Sequence, residues 1–267
     1  MVVIVFENTG IKDTLTQPTF SKLKERSLFF QDFHAVTHPS QPNYLAMISG
    51  DTHGVFSNQN VDLKAEHLGD RLEERGMNWK QYAEGYPEPT SKNPCFTGAK
   101  SLDPGTYFVR KHAPFLSFLN ITSRPERCRK HVRNSLDFWT DLSQGKLPAF
   151  SFYVPDNRNS GHDTGVAFAD RYLGTEFLPK FESQAPARTL LWVTFDENDP
   201  RADTDGNLVY SAFLMKGLSP KYVSDRFDFY SVLKLLKERF RLGKLSPAVE
   251  NAQSMARFFQ VEPRKPR

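Results

Sequence analysis

The chain has 267 residues, 39% hydrophobic and 25% charged, an ordinary globular composition that excludes fibrous and wholly disordered classes. Lys and Arg number 35 against 31 Asp and Glu, for a formal charge of +4. Apart from residues 124–133 and the tail Arg264-Lys265-Pro266-Arg267 the basic residues are scattered, which speaks against a nucleic-acid surface.

Val2-Val3-Ile4-Val5-Phe6 reads as a fully buried parallel strand. Met1 runs straight into it without a basic region or a signal-peptide core, so the chain is expected to have a processed or trimmed start, its targeting segment absent. Pro18 to Arg26 reads as a helix with proline in its first turn, and Leu28 to Val36 as a strand. After His38-Pro39-Ser40-Gln41-Pro42 comes an apolar helical stretch from Tyr44 to Ile48. Ala65 to Arg75 is a predicted helix ended by Gly76, and Trp79 to Ala83 a strand. Residues 84–133, rich in Pro, Gly and Lys, read as an irregular cap or insertion. Regular alternation resumes with helix Asn134–Ser143, strand Ala149–Val154, helix Val166–Phe181 and strand Thr189–Phe195. Strand Leu208–Met215 and helix Asp228–Phe240 complete it. Apolar runs such as Leu190-Leu191-Trp192-Val193 are far too short to span a bilayer.

Strands alternating with helices predict an α/β fold, a mostly parallel central sheet with helices on both faces, as one domain over residues 1–267. Ligands in such folds bind outside the carboxyl ends of the strands. Cys95 and Cys128 permit one bridge, which would close a loop of about thirty residues, stabilise by roughly 3–4 kcal/mol and imply an oxidising compartment. Two free thiols are the alternative. No Cys/His spacing points to structural zinc.

Three predicted strands end in polar residues: Glu7-Asn8, Asp196-Glu197-Asn198-Asp199, and the loop running through Gly161-His162-Asp163. In a parallel sheet these loops open on one rim, and Glu7, Asn8, Asp196 and Glu197 as converging hard oxygens favour a divalent cation. Taken singly, each has a plainer reading as a turn, an Asx-turn or a helix cap. Ser40, at a strand-to-helix elbow, is a candidate nucleophile; its plainer reading is a helix N-cap. Of the histidines, His162 in its polar Gly-flanked loop is the stronger candidate. His112 reads equally well as a loop histidine, and His38 is a weaker candidate base. His53 reads as a turn residue, and His34, His67 and His131 as structural or surface residues.

Glu7-Asn8, the block His38-Pro39-Ser40-Gln41-Pro42-Asn43-Tyr44-Leu45-Ala46, Lys111-His112-Ala113-Pro114-Phe115, Gly161-His162-Asp163 and Phe195-Asp196-Glu197-Asn198-Asp199 stand in the order seen in the phosphoesterase family. The chain resembles that family, the acid phosphatases and phospholipases C of the alkaline phosphatase superfamily, from residue 2 to about Leu242, and its short acid-phosphatase members most. The resemblance implies a divalent metal (Ca, Mg, Mn or Zn) held by Glu7, Asn8, Ser40, Asp196 and Glu197. It implies that Ser40 attacks phosphorus to give a phosphoserine, with His112, His162 and Asn43 contacting the phosphoryl group. Relatives usually carry histidine where this chain has Phe229.

The expected function is therefore a metal-dependent phosphomonoesterase acting on small phosphate esters, secreted or periplasmic, with no nucleic-acid partner. A phospholipase C-like phosphodiesterase would require an apolar lip, for which Tyr86, Tyr107, Phe108, Phe115 and Phe118 are available. A phosphate-binding domain with weakened catalysis is the non-enzymatic alternative, resting on Phe229.

Overall fold

A computed structural model describes residues 1–101 and 103–259; the basic tail Arg264–Arg267 lies outside the described residues. The first apolar run forms strand β1 (Val2–Phe6), buried along its whole length, as a strand covered on both faces must be. Two short helices, α1 (Ile11–Leu15) and α2 (Pro18–Glu25), lead to β2 (Leu28–His34). Helix α3 (Ser40–Ser49) and helix α4 (Leu68–Glu74) precede β3 (Trp79–Ala83). Then come α5 (Leu119–Thr122), α6 (Pro125–His131), β4 (Val132–Asn134), α7 (Ser135–Ser143) and β5 (Phe150–Val154). Helices α8 (Val166–Tyr172) and α9 (Leu178–Gln184) flank one π turn, Leu173–Phe177. The wider turn accommodates Pro179, which has no N–H to give to a regular ladder. Strands β6 (Leu191–Phe195), β7 (Ser211–Leu214) and β8 (Lys221–Asp228), then helices α10 (Phe229–Phe240) and α11 (Pro247–Asn251), complete the order.

The eight strands form one sheet in the order β4-β3-β5-β1-β6-β7-β2-β8. Only β7 runs against its neighbours β6 and β2; the remaining described pairings are parallel. Strand β1 is thus central, and the chain leaves it toward β2 on one side before crossing to β3 and β5 on the other. That is a topological switch point, where an open α/β sheet leaves a crevice beyond its carboxyl ends.

The expected fold agrees with this architecture, with differences that have local reasons. Strand β8 was not anticipated, because its sequence Lys-Tyr-Val-Ser-Asp-Arg-Phe-Asp buries only Val223 and Phe227. An edge strand needs no continuous apolar run and is protected by charge. Helix α3 begins at Ser40, four residues before its apolar stretch. The segment 84–133 also contributes to the core: Phe115, Leu116 and Phe118 are fully buried, and β4 pairs with β3 to extend the sheet. The five candidate aromatics do not form a lip. Tyr86, Phe108, Phe115 and Phe118 are buried, and only Tyr107, at 39%, is exposed. Cys95 and Cys128 are joined in a disulfide across a separation of 33 residues.

Candidate active site

Strand ends β1 and β6 are hydrogen-bonded neighbours, with Phe6 opposite Phe195. The residues that follow each of them therefore meet. Asn8 holds a left-handed backbone, φ 51°, a conformation that asparagine tolerates better than most residues. It directs its N–H to Asp196 Oδ1 at 3.0 Å. Gly10 lets the same loop close on the second acidic pair, since a Cβ there would lie 2.4 Å from Asn198 Oδ1.

Ser40 enters from α3, whose N-cap is Pro39, without a side-chain cap bond. The cap reading of Ser40 is therefore set aside by the geometry. Its hydroxyl faces Glu197 Oε1 at 2.9 Å, Asn8 Oδ1 at 3.3 Å and Glu7 Oε2 at 3.4 Å. One hydroxyl proton thus has three acceptors, drawn from two strand ends. Tyr44, one turn along α3, donates its hydroxyl to Glu7 Oε1.

Three buried carboxylates in one place repel one another, and burial compounds it. Burial first, then Glu7 and Glu197, holds the Asp196 carboxyl well above its ordinary range. Burial also raises Glu197, against the pull of His38 and Ser40. For Glu7, burial is outweighed by His112, Lys111 and Tyr44, which bring it down to about 2. Asp196 Oδ2 is buried with no hydrogen-bond partner. An orphaned carboxylate oxygen among hard oxygen donors is the environment that a divalent cation satisfies, so Glu7, Asn8, Ser40, Asp196 and Glu197 fit such an ion.

A basic wall faces this acidic one. His112, on the turn Arg110–His112, is buried, stacks on Tyr44 and places Nε2 3.2 Å from Glu7 Oε2. Burial lowers its pKa, with Glu7 opposing. His162 sits on the loop after β5, pinned to β1 by the Glu7 N–H donating to Ser160 O at 3.0 Å. Gly161 in that loop adopts φ 91°, open to glycine. His162 Nδ1 lies 2.7 Å from Asp163 Oδ1 and Nε2 3.3 Å from Lys111 Nζ. Glu7, His112 and His162 each offer a ligand atom within 4.8 Å of the others, the one group of three acidic or histidine ligands that lies so close among the described residues, and it shares Glu7 with the oxygen donors around Ser40.

Two expectations change. Asn43 does not face the cleft: its Oδ1 accepts from Val36 N and Thr37 N, and its Nδ2 donates to Thr37 O at 2.6 Å. It shapes the elbow that presents Ser40. Phe229, where a histidine was expected from the resemblance, packs against Phe33 and Trp192 in the core. Sequence reasoning undervalued His38, whose Nδ1 is 2.5 Å from Glu197 Oε2 and whose Nε2 is 3.2 Å from Asp203 Oδ2. It missed Asp203, 165 positions away from His38, and gave Lys111 no role; only the acidic run after Glu197 hinted at Asp203. A cavity of about 610 Å³ lies at the other end of the sheet beside Met1, Thr189 and Phe240, away from these groups.

The sequence profile of the Phosphoesterase family matches residues 14–204. A probable acid phosphatase of Kluyveromyces lactis is 30% identical over 91% of this chain and 58% of its own length. A phosphatidylinositol-3-phosphatase of Mycobacterium tuberculosis is 28% identical over 91% of this chain and 77% of its own. A crystal structure of an alkaline phosphatase superfamily protein from Vibrio parahaemolyticus superposes with a TM-score of 0.61 at 13% identity, covering 93% of this chain and 68% of that one; it shares the fold. The chain spans rather more than half the length of the fungal acid phosphatases it matches.

Proposed function

Because the chain belongs to the phosphoesterase family, we propose that it is a metal-dependent phosphoric ester hydrolase, chiefly a phosphomonoesterase, with Ser40 as nucleophile. The observation that carries this reading is the Ser40 hydroxyl at a helix start, 2.9 Å from Glu197 Oε1 and within reach of Glu7 and Asn8. A helix N-terminus also favours the phosphate anion.

Glu7, Asn8, Ser40, Asp196 and Glu197 would hold the cation. When bound, it supplies charge neutralisation and a more acidic serine hydroxyl. Ser40 gives its proton to Glu197 Oε1, and Oγ forms a bond to phosphorus while the bond from phosphorus to the ester oxygen breaks. The alcohol leaves on the open side, taking a proton from solvent. Water then attacks the phosphoserine, phosphate departs, and Ser40 regains a proton. His38, held by Asp203, fixes the orientation of Glu197. His112 keeps Glu7 oriented, and His162 lies on the wall that the phosphoryl oxygens face.

The relatives, a probable acid phosphatase and a phosphatidylinositol-3-phosphatase, support a phosphate ester substrate, with a phosphorylated lipid headgroup as one candidate. The burial of Tyr86, Phe108, Phe115 and Phe118, four of the five candidate lip aromatics, disfavours the phospholipase C alternative. The disulfide supports an oxidising, extracytoplasmic location, and no described helix is long and apolar enough to cross a membrane.

The test is p-nitrophenyl phosphate turnover by metal-stripped protein with Mg²⁺, Mn²⁺, Ca²⁺ or Zn²⁺ added back, beside Ser40→Ala. We expect Ser40→Ala to lose about 10³-fold or more in kcat with an unchanged circular dichroism spectrum. Full turnover by that variant, or by exhaustively chelated protein, overturns the reading.

A further inference from the structure

The basic wall has an internal order that the phosphatase reading does not require. An ammonium has only protons to offer, so the 3.3 Å contact from Lys111 Nζ makes His162 Nε2 the acceptor. The imidazole proton then sits on Nδ1 and is given to Asp163 Oδ1 at 2.7 Å. Asp163, His162 and Lys111 form a directed chain that ends in a positive charge at the cleft. Among the described residues, no carboxylate oxygen lies within 4.0 Å of that ammonium. Its charge still acts on Glu7, whose pKa it helps to lower.

Charge arithmetic gives this cation a purpose. Glu7, Asp196 and Glu197 together outweigh one divalent ion by a single negative charge, which would repel a phosphate dianion. A positive charge on the opposite wall offsets it. A monoester presents charged oxygens in every direction except that of the leaving group. A diester presents an esterified, uncharged oxygen in one of those directions, and an ammonium gains little from it.

We propose that Lys111, positioned by the Asp163–His162 pair, is the residue that selects phosphate monoesters over diesters, by contacting a non-bridging oxygen of the dianion. The proposal deepens the phosphatase reading and rests on it for turnover, but its binding arm does not.

Lys111→Met keeps the stem and removes the charge; Lys111→Arg keeps the charge. With p-nitrophenyl phosphate, we expect Lys111→Met to lose about 10²-fold in kcat/KM, the scale of one lost transition-state donor. With bis(p-nitrophenyl) phosphate the loss should stay within about 3-fold, and Lys111→Arg should restore a substantial part of the monoester rate. Asp163→Asn should show the same monoester-selective loss at smaller size, as a positioning residue does. Equal losses on both esters, or no loss on the monoester, overturn the proposal.

Calorimetric binding of inorganic phosphate to Ser40→Ala, with and without Lys111→Met, separates this from failure of the enzymatic reading. We expect the second substitution to weaken binding at least tenfold even where no ester is turned over. Unchanged phosphate affinity overturns the assignment of Lys111 and leaves the Ser40 reading standing. Lys111→Gln serves as a second charge-removing variant if Lys111→Met does not fold.

Discussion

A buried carboxylate oxygen without a partner raises the free energy of the folded chain, and Asp196 Oδ2 is such an atom, crowded by Glu7 and Glu197. Asp196→Asn removes one of the three mutually repelling charges and keeps Oδ1 to accept from Asn8 N. In metal-stripped protein we expect the variant to be more stable than the wild type by about 1–3 kcal/mol. At roughly 2–4 °C per kcal/mol for a chain of this size, that is a visible rise in Tm. Adding a divalent ion should reverse the order, because the wild type gains ligand-linked stability that the variant has largely lost. Thermal unfolding in chelator and in excess Mg²⁺ or Zn²⁺ gives both comparisons. A stripped Asp196→Asn protein that melts below the wild type would show that these acids do not repel one another in the folded state. Glu7 is the least suited of the three to such a swap, because Tyr44, His112 and Lys111 already compensate it.

At the scale of elements, what the sequence makes legible follows burial. Strands β1, β5 and β6 are buried along their whole lengths and read as apolar runs, interrupted only by Ser151 in β5 and Thr194 in β6. The residues just past β1 and β6 were readable as candidate ligands because a central strand of such a sheet ends at the crevice. Edge strands β4 and β8 carry no such signal. The Asp203–His38–Glu197 and Asp163–His162–Lys111 chains were invisible for another reason: they join segments up to 165 positions apart through side chains whose types are common on any surface. The segment 84–133 falls between these cases. Its sequence looks like a loop, yet its second half is core, and Cys128 is wholly buried beside the Tyr86 hydroxyl. The disulfide ties the irregular first half to α6 across 33 residues, a loop for which chain entropy alone predicts about 3–4 kcal/mol. We therefore expect Cys95→Ser or full reduction to lower stability by that amount. Limited proteolysis of the reduced protein should cut first within residues 88–106, ahead of Lys111 and His112. Equal melting temperatures with and without reductant would remove the bridge from the stability account.

For the molecule as a whole, one source of pH sensitivity lies away from the reacting groups, at His67. It is fully buried, with Trp79, Phe115 and Phe118 ringing it at 5.0–5.5 Å between centroids. Burial, opposed by Asp70, moves its pKa from 6.5 down to about 4. A histidine depressed in this way binds its proton more readily in the unfolded chain. Between pH 6.5 and 4 the unfolded state therefore carries the extra proton, and stability rises with pH across that window. The contribution is fully present above 6.5 and is lost as pH falls toward 4, amounting to roughly 3 kcal/mol for a gap of this size. His67→Phe replaces the imidazole with a ring suited to the same aromatic cage and has no proton to gain. Urea unfolding at pH 7 and pH 4.5 should show the wild type losing about 2–3 kcal/mol more than the variant on acidification. An equal loss in both proteins would place the acid sensitivity elsewhere, with the paired carboxylates such as Glu73, lowered to about 2 and losing their stabilising effect as pH falls below their unfolded value of 4.5, as the next groups to replace.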